Sequence, residues 1–157
     1  MLTFNNCSGI IINMMFKILS VLEARDIVKQ YPNKLNVISV EKTETVDPNL
    51  CKNHIHLKMD DVDDAVINKW DNQLKQKGTK YPEKQHVLDA IEFDKKHTVD
   101  MIHCHAGISR STAIGYAILR SRGMNKPDAM KMVHEIQPYA MPNRRLVRFV
   151  DEIYGNK

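Results

Sequence analysis

The sequence is poor in cysteine: three in 157 residues, Cys7, Cys51 and Cys104, an odd number with no paired spacing. A disulfide framework is thereby excluded as the scaffold, and a reducing compartment is expected. No apolar run approaches the roughly 18–20 residues of a membrane span, so a membrane partner is not expected. No block of like charge occurs either. The 23 Lys and Arg against 19 Asp and Glu leave +4, spread along the chain. That pattern reads as a solvated surface with a slight basic excess, and nucleic acid is not an expected partner. The short apolar patch Ile10–Phe16 lacks a positively charged lead-in, which argues against a secretory signal. There are no internal repeats and no low-complexity tracts.

What is present is the composition of a soluble, cytoplasmic globular protein, 43% hydrophobic and 27% charged, long enough for one domain with a real core. The Met14–Met15 pair marks residues 1–15 as an N-terminal extension, expected to be disordered, ahead of a folded domain over residues 16–157. Phe16–Val21 reads as a short strand. It runs into a helix in which Ser20 and Glu23 have capping-box spacing and Leu22, Ile27 and Val28 share an apolar face, with Pro32 as its stop. Asn36–Val40 is dense in β-branched residues, as a buried strand is. Asn53–Met59 alternates, with Ile55, Leu57 and Met59 on one face and His54, His56 and Lys58 on the other; the histidines are expected as polar edge residues.

An acidic turn, Asp60–Asp64, follows. Val66, Ile67, Trp70 and Leu74 then mark an amphipathic helix that Gly78 ends. Pro82 suits the first turn of the next helix, with His86, Val87, Leu88 and Ile91 on one face. After a strand from Thr98 to Cys104 the chain reads as helical: Ser111–Arg122 stopped by Gly123, Pro127–Gln137 stopped by Pro138, and Asn143–Tyr154. Strands alternating with helices predict an α/β fold: a single domain with a central, mostly parallel sheet of about four to five strands flanked by helices.

The stretch that carries chemistry is VDMIHCHAGISRSTAIGYAILRSRG, Val99 to Gly123. In such a sheet ligands bind beyond the carboxyl ends of strands, where helices begin, and Cys104 falls at that place. The loop His105-Ala106-Gly107-Ile108-Ser109 hands over to a helix near Arg110. A loop of this length can turn successive amides inward as an anion nest, with Gly107 allowing a close backbone approach. Arg110 brings a planar fork suited to phosphate oxygens. A cysteine in that cradle favours its thiolate, the nucleophilic form. A metal site built from His103, Cys104, His105, His54 and His56 is not expected, because adjacent strand residues point to opposite faces.

His103-Cys104-His105-Ala106-Gly107-Ile108-Ser109-Arg110-Ser111 resembles the H-C-x5-R-S/T signature of the cysteine-dependent protein tyrosine phosphatases. PEKQHVLDAIEF and PYAMPNRRLVRFVDEIYG resemble segments of their small dual-specificity-like and compact bacterial branch. The likeness runs from about Lys17 to Gly155 and is specific at the loop. It implies that Cys104 attacks phosphorus and forms a phosphocysteine. Arg110 and the amides of His105 to Arg110 would bind the phosphate, Ser111 would help the sulfur leave, and His103 would tune the thiol. No metal or other cofactor is implied, and the partner is a phosphorylated protein or peptide: phosphotyrosine, with phosphoserine and phosphothreonine as further substrates.

The family's general acid is an aspartate on a loop after the preceding strand. Asp60, Asp61, Asp63, Asp64 and Asp71 are candidates, and Asp61 is preferred because it precedes Val62 as the family's acid precedes an aliphatic residue. Asp61 lies 43 residues before Cys104, farther than the family usually places it, with residues 65–81 as the insertion; Asp71, at 33, falls in the expected helix. Phosphoinositide phosphatases of the superfamily carry lysines between Cys and Arg, and this loop has none. RNA-end phosphatases have more basic surroundings, a sulfurtransferase lacks the Arg-Ser pair, and an idle phosphoprotein-binding module would lack Cys104, Arg110 or the acid. Arg144 and Arg145 either reach the pocket mouth, to meet a second phosphate or acidic group, or sit on a helix face paired with Asp151 or Glu152; the pairing is expected. Cys7 or Cys51, if close, would form a protective disulfide with Cys104. The oligomeric state is not legible.

Overall fold

The computed structural model describes residues 15–155. The extension read over residues 1–15 lies outside them except for Met15, and Cys7 lies outside them too. The chain forms β1 (Lys17–Leu19), α1 (Val21–Gln30), β2 (Asn36–Val40), a 3-10 turn (Pro48–Leu50), β3 (Asn53–Leu57), α2 (Asp64–Gln76), α3 (Lys84–His97), β4 (Met101–His103), α4 (Arg110–Ser121), α5 (Lys126–Ile136) and α6 (Arg144–Tyr154). The four strands make one fully parallel sheet in the order β1-β4-β2-β3, as the α/β reading requires.

Parallel strands need covering on both faces, and strand alternation supplies two cores. Ile18, Ile38, Val40 and Ile102 face one cluster with α3, α4, α5 and α6; Val37 and Met101 face another with Ala24 and Val28 of α1. β2 is buried at all five positions. β4, between β1 and β2, therefore delivers its carboxyl end to the middle of the domain. α4, which follows it, is buried over ten of its twelve residues, and its middle, residues 113–119, carries no charged side chain to match. Gly115 lets it lie against β1: a Cβ there would come 2.8 Å from Ile18 Cδ1.

The capping box at Ser20 and Glu23 forms, with the Ser20 amide donating to Glu23 at 2.9 Å. The apolar stripe of α1 is, however, Val21, Ala24 and Val28; Leu22 is 69% exposed because a three-and-four spacing leaves it on the outer side. Leu88 is likewise exposed while Val87 and Ile91 of α3 are buried. Pro82 does not open α3. The N-cap is Glu83, and the Pro82 carbonyl accepts a hydrogen bond from Arg145 at 2.7 Å. The expected α2 forms but buries no residue and leaves helical geometry at Trp70, so its apolar residues make a lip and no core.

The arginines of α6 also depart from expectation. Arg145 pairs with Asp64, which Arg148 also holds at 2.8 Å, and Glu152 is taken by Arg148. Asp151 is bound by Tyr116, Arg120 and Lys126. Burial, seconded by Asp151, pushes the Tyr116 hydroxyl up to about 12. Asp64 thus pins α2 to α6, and the guanidinium of Arg148, then that of Arg145, hold its carboxyl below the usual carboxylate value. A carboxyl lowered in the folded state stabilises fully above its unfolded value, about 4, and loses that contribution as pH falls through the folded value. Asp64→Asn is expected to flatten the acid limb of the stability curve below about pH 4 and to lower Tm at neutral pH. Thermal melts across that range check it, and an unchanged acid limb would refute the assignment. The pair is partly exposed, so the effect is expected to shrink in high salt.

Candidate active site

Cys104 sits one residue beyond β4, 2% exposed, with Sγ 3.1 Å from the Ser111 hydroxyl in the first turn of α4. The intervening loop is held from outside. The His105 carbonyl accepts from the Val21 amide at 3.1 Å, that of Ile108 from the Met141 amide at 2.9 Å, and that of Ser109 from the Asn143 amide at 3.1 Å. The Thr112 hydroxyl donates to the Ile108 and Ser109 carbonyls, at 2.5 and 2.9 Å. Carbonyls turned outward are the arrangement in which successive amides line a concave nest. Gly107 has φ +73°, and a Cβ on it would lie 2.6 Å from the carbonyl carbon of Leu19, so only glycine fits without moving the β1–α1 junction.

Arg110, at the start of α4, donates from Nη1 to the Met59 carbonyl at 3.0 Å. Its Nε is buried and has no hydrogen-bond partner among the described residues. A buried donor with no partner calls for an acceptor, and this one belongs to a guanidinium anchored beside the nest. His105 and Ala106 are exposed at the lip.

The acidic turn sorts itself by its partners. Asp61 accepts from the Ser109 hydroxyl at 2.7 Å and from Asn143 Nδ2 at 2.9 Å, so its exposed carboxylate is tied to the loop. Asp60 accepts from the Lys80 amide at 2.8 Å and closes the 65–81 insertion. Asp63 caps α2 through the Val66 amide, Asp64 holds Arg145 and Arg148, and Asp71 holds Lys75 and Tyr81. Asp61 is the member that the fold brings to the loop. An open cleft of about 610 Å³ continues from Asp61 and Ser109 past Asp63, Val66, Met141 and Arg144. Of the two arginines read from PNRR, Arg144 is the one at this mouth.

His103 and Cys104 face opposite sides of the sheet, His103 toward α1 and Cys104 into the larger cluster. The His103 ring is fully buried, its Nε2 2.6 Å from Ser39 Oγ, and burial lowers its pKa, so it is neutral. His54 and His56 lie on the edge strand as read, but they are not solvated: His54 reaches the same Ser39 hydroxyl at 2.8 Å, and His56 the Glu41 carbonyl at 2.8 Å. Cys51 is a free thiol in the smaller cluster, pushed to about 11 by burial, and does not pair with Cys104, which is also free. Sequence reasoning missed Asn143, Thr112 and Ser39. Asn143, following Pro142, carries a helix-cap signal, and it does accept from the Leu146 amide at 3.2 Å; nothing in the sequence tells of its contact with Asp61.

The chain matches the family model described as dual specificity phosphatase, catalytic domain, over residues 33–155. It is 36% identical over 63 residues to dual specificity protein phosphatase Mpk3 of Drosophila melanogaster; the match covers 37% of this chain and 15% of that protein. Among solved structures it is similar to DUSP15, with a TM-score of 0.63 and 20% identity over 87% of this chain and 80% of that one. It is also similar to Tk-PTP in its active form, at 0.57 and 18% over 90% of both, and to the Yvh1 phosphatase domain from Chaetomium thermophilum, at 0.57 and 18% over 85% and 86%. At those identities the structural likeness speaks for the fold, and the family match spans most of the chain: this protein belongs to the dual specificity phosphatase catalytic-domain family.

Proposed function

We propose that the protein hydrolyses phosphate monoesters on proteins or peptides, phosphotyrosine foremost, through a phosphocysteine intermediate. The observation that carries this reading is the Cys104 thiol, within 3.1 Å of the Ser111 hydroxyl, at the base of a loop whose arginine keeps a buried, unpartnered Nε. A phosphate seated in the loop would give that nitrogen its acceptor, and Arg110 with the amides would stabilise the charge spread over the equatorial oxygens. Cys104 Sγ then bonds to phosphorus as the ester oxygen leaves, and that oxygen takes a proton from Asp61. In the second step water attacks the phosphocysteine, Asp61 takes the water's proton, and the P–S bond breaks to return the thiolate, to which Ser111 donates. His105, Ala106, Gly107, Ile108 and Ser109 supply the backbone of the cradle. His103 supports the thiol and transfers no proton. The absence of lysine from the loop favours a phosphoprotein over a phosphoinositide.

Under reducing conditions with EDTA, the protein is expected to hydrolyse p-nitrophenyl phosphate with a bell-shaped profile between about pH 4 and 9. Asp61→Asn is expected to lower kcat about 10²-fold and to remove the basic limb, the limb that reports the acid. A profile unchanged in Asp61→Asn would move the acid to another residue. No turnover of any aryl phosphate or phosphopeptide by the wild type would overturn the reading.

A further inference from the structure

The tie between the acidic turn and the phosphate loop uses side chains that the reaction above leaves without a role. Two donors converge on one oxygen of Asp61: the Ser109 hydroxyl at 2.7 Å and Asn143 Nδ2 at 2.9 Å, both on Oδ1. The other oxygen, Oδ2, makes no hydrogen bond among the described residues. Asn143 is 5% exposed, and both ends of its amide are engaged. Its Oδ1 accepts from the Leu146 amide at 3.2 Å and so caps α6, while Nδ2 also donates to the Val62 carbonyl at 3.2 Å. We propose that Asn143 and Ser109 are positioning residues for Asp61: they hold its Oδ1 and leave Oδ2 as the oxygen that carries the proton to the leaving group. This inference rests on the reading of Asp61 as the general acid of a phosphatase.

The direction of the Asn143 bond follows from the amide's second duty. Turned over, that amide would set its NH2 against the Leu146 N–H and its oxygen against both the Asp61 carboxylate and the Val62 carbonyl, like against like at each contact. A buried group of fixed orientation therefore holds an exposed carboxylate. A carboxyl oxygen that accepts two hydrogen bonds is the carbonyl oxygen of the protonated acid, so the acidic hydrogen belongs on Oδ2. For a general acid geometry comes first: the proton has to lie within hydrogen-bond reach of the oxygen that receives it. An aspartate on an exposed turn is otherwise free to visit several rotamers; this one is held from the phosphate loop and from the cap of α6 at once. The rest of the turn is fastened independently, Asp60 by the Lys80 amide and Asp64 by Arg145 and Arg148. Loss of either donor thus frees the Asp61 side chain without unfastening the turn.

Two variants separate holding the acid from holding the fold. Ser109→Ala removes one donor and keeps the backbone amide of the cradle. Asn143→Asp keeps the α6 cap, since a carboxylate accepts from the Leu146 amide as an amide oxygen does, but sets a like charge against Asp61. Should Asn143→Asp fold poorly, Ser109→Ala carries the same readouts. Phenyl phosphate has a poorer leaving group than p-nitrophenyl phosphate and leans harder on the acid. Each variant is therefore expected to lower kcat about 10-fold on phenyl phosphate and about 3-fold or less on p-nitrophenyl phosphate. In an Asp61→Asn background the same changes are expected to cost under about 2-fold, because no proton is left to place. Titration of the Asp61 carboxyl by 13C NMR needs no turnover. Its midpoint is expected to rise by about one pH unit in Asn143→Asp, and in the same direction by less in Ser109→Ala. The other charged groups around it are the same in each protein: Asp60 beside it, Asp63 and Arg144 in the cleft, and Arg110 on the Met59 carbonyl. Equal losses on the two esters, full additivity with Asp61→Asn, or a midpoint unmoved in both variants would overturn the proposal. A wild type that hydrolyses neither ester, while the Asp61 midpoint moves as stated, would sink the phosphatase reading and leave the hold on Asp61 standing.

Discussion

Cys104→Ser is expected to lower kcat on p-nitrophenyl phosphate by about 10⁶-fold while inorganic phosphate still binds. The two halves of this outcome have separate causes. A serine hydroxyl at the same place is almost wholly un-ionised at neutral pH and a far weaker nucleophile than a thiolate, so the P–S bond has no substitute. The cradle is built from other atoms: outward carbonyls held by Val21, Met141 and Asn143, the Thr112 hydroxyl, and a guanidinium anchored on Met59. None of these depends on sulfur. Phosphate at 100 times its Kd is therefore expected to raise the stability of Cys104→Ser by about 2.7 kcal/mol, read as a Tm shift. Residual turnover above about a hundredth of wild type would place the nucleophile elsewhere. Loss of phosphate binding together with turnover would mean that the loop itself had collapsed.

The second large effect is expected at Arg110. Arg110→Lys keeps the charge and is expected to lower kcat/KM by about 10³-fold. The guanidinium does two things with one rigid plane. Nη1 is spent on the Met59 carbonyl at 3.0 Å, and Nε remains for the anion. An ammonium is a point charge on a flexible stem. If it reaches the Met59 carbonyl it abandons the phosphate, and if it turns to the phosphate it leaves a buried carbonyl unpaired. The loss should fall mainly on kcat, since an equatorial arrangement of oxygens is approached only in the transition state. Near-full activity in Arg110→Lys would show that the fork is not needed. A much lower Tm in the variant would show that the Met59 contact is chiefly structural.

The placing of the loop between a strand and a helix was legible because its residues are local. Cys104, Gly107, Arg110 and Ser111 lie within eight consecutive residues, between a β-rich stretch and a helical one, and each has its own backbone or side-chain reason to be there. The parallel α/β arrangement was legible for a similar reason: Asn36–Val40 reads as a strand buried on both faces, and so it is. Element ends were legible where a cap stood, as at Ser20 with Glu23, Gly78 and Gly123. Faces were less so. Leu22, Leu88 and Trp70 are apolar and exposed because burial depends on what packs opposite, and an amphipathic pattern names a stripe without naming its cover.

The acidic turn marks the division most clearly. Five aspartates stood equal in composition, and a resemblance ranked Asp61 ahead of the others. Its tie to Ser109 and Asn143 spans 48 and 82 residues of chain, and it exists because β3 and β4 flank β2 and end on the same side of the sheet. The pairing of Asp64 with Arg145, and with Arg148 in addition to that arginine's helix neighbour Glu152, is of the same kind. So is the polar chain of Glu44, His54, Ser39 and His103, whose members sit on three strands and a loop. The fold class, and the residues of the proposed nucleophile and phosphate cradle, follow from neighbours along the chain, where propensity and spacing act. The partners of each charged or polar group follow from strand order and register, because a hydrogen bond is settled by which groups a distant fold brings within about 3 Å, and no local pattern encodes that.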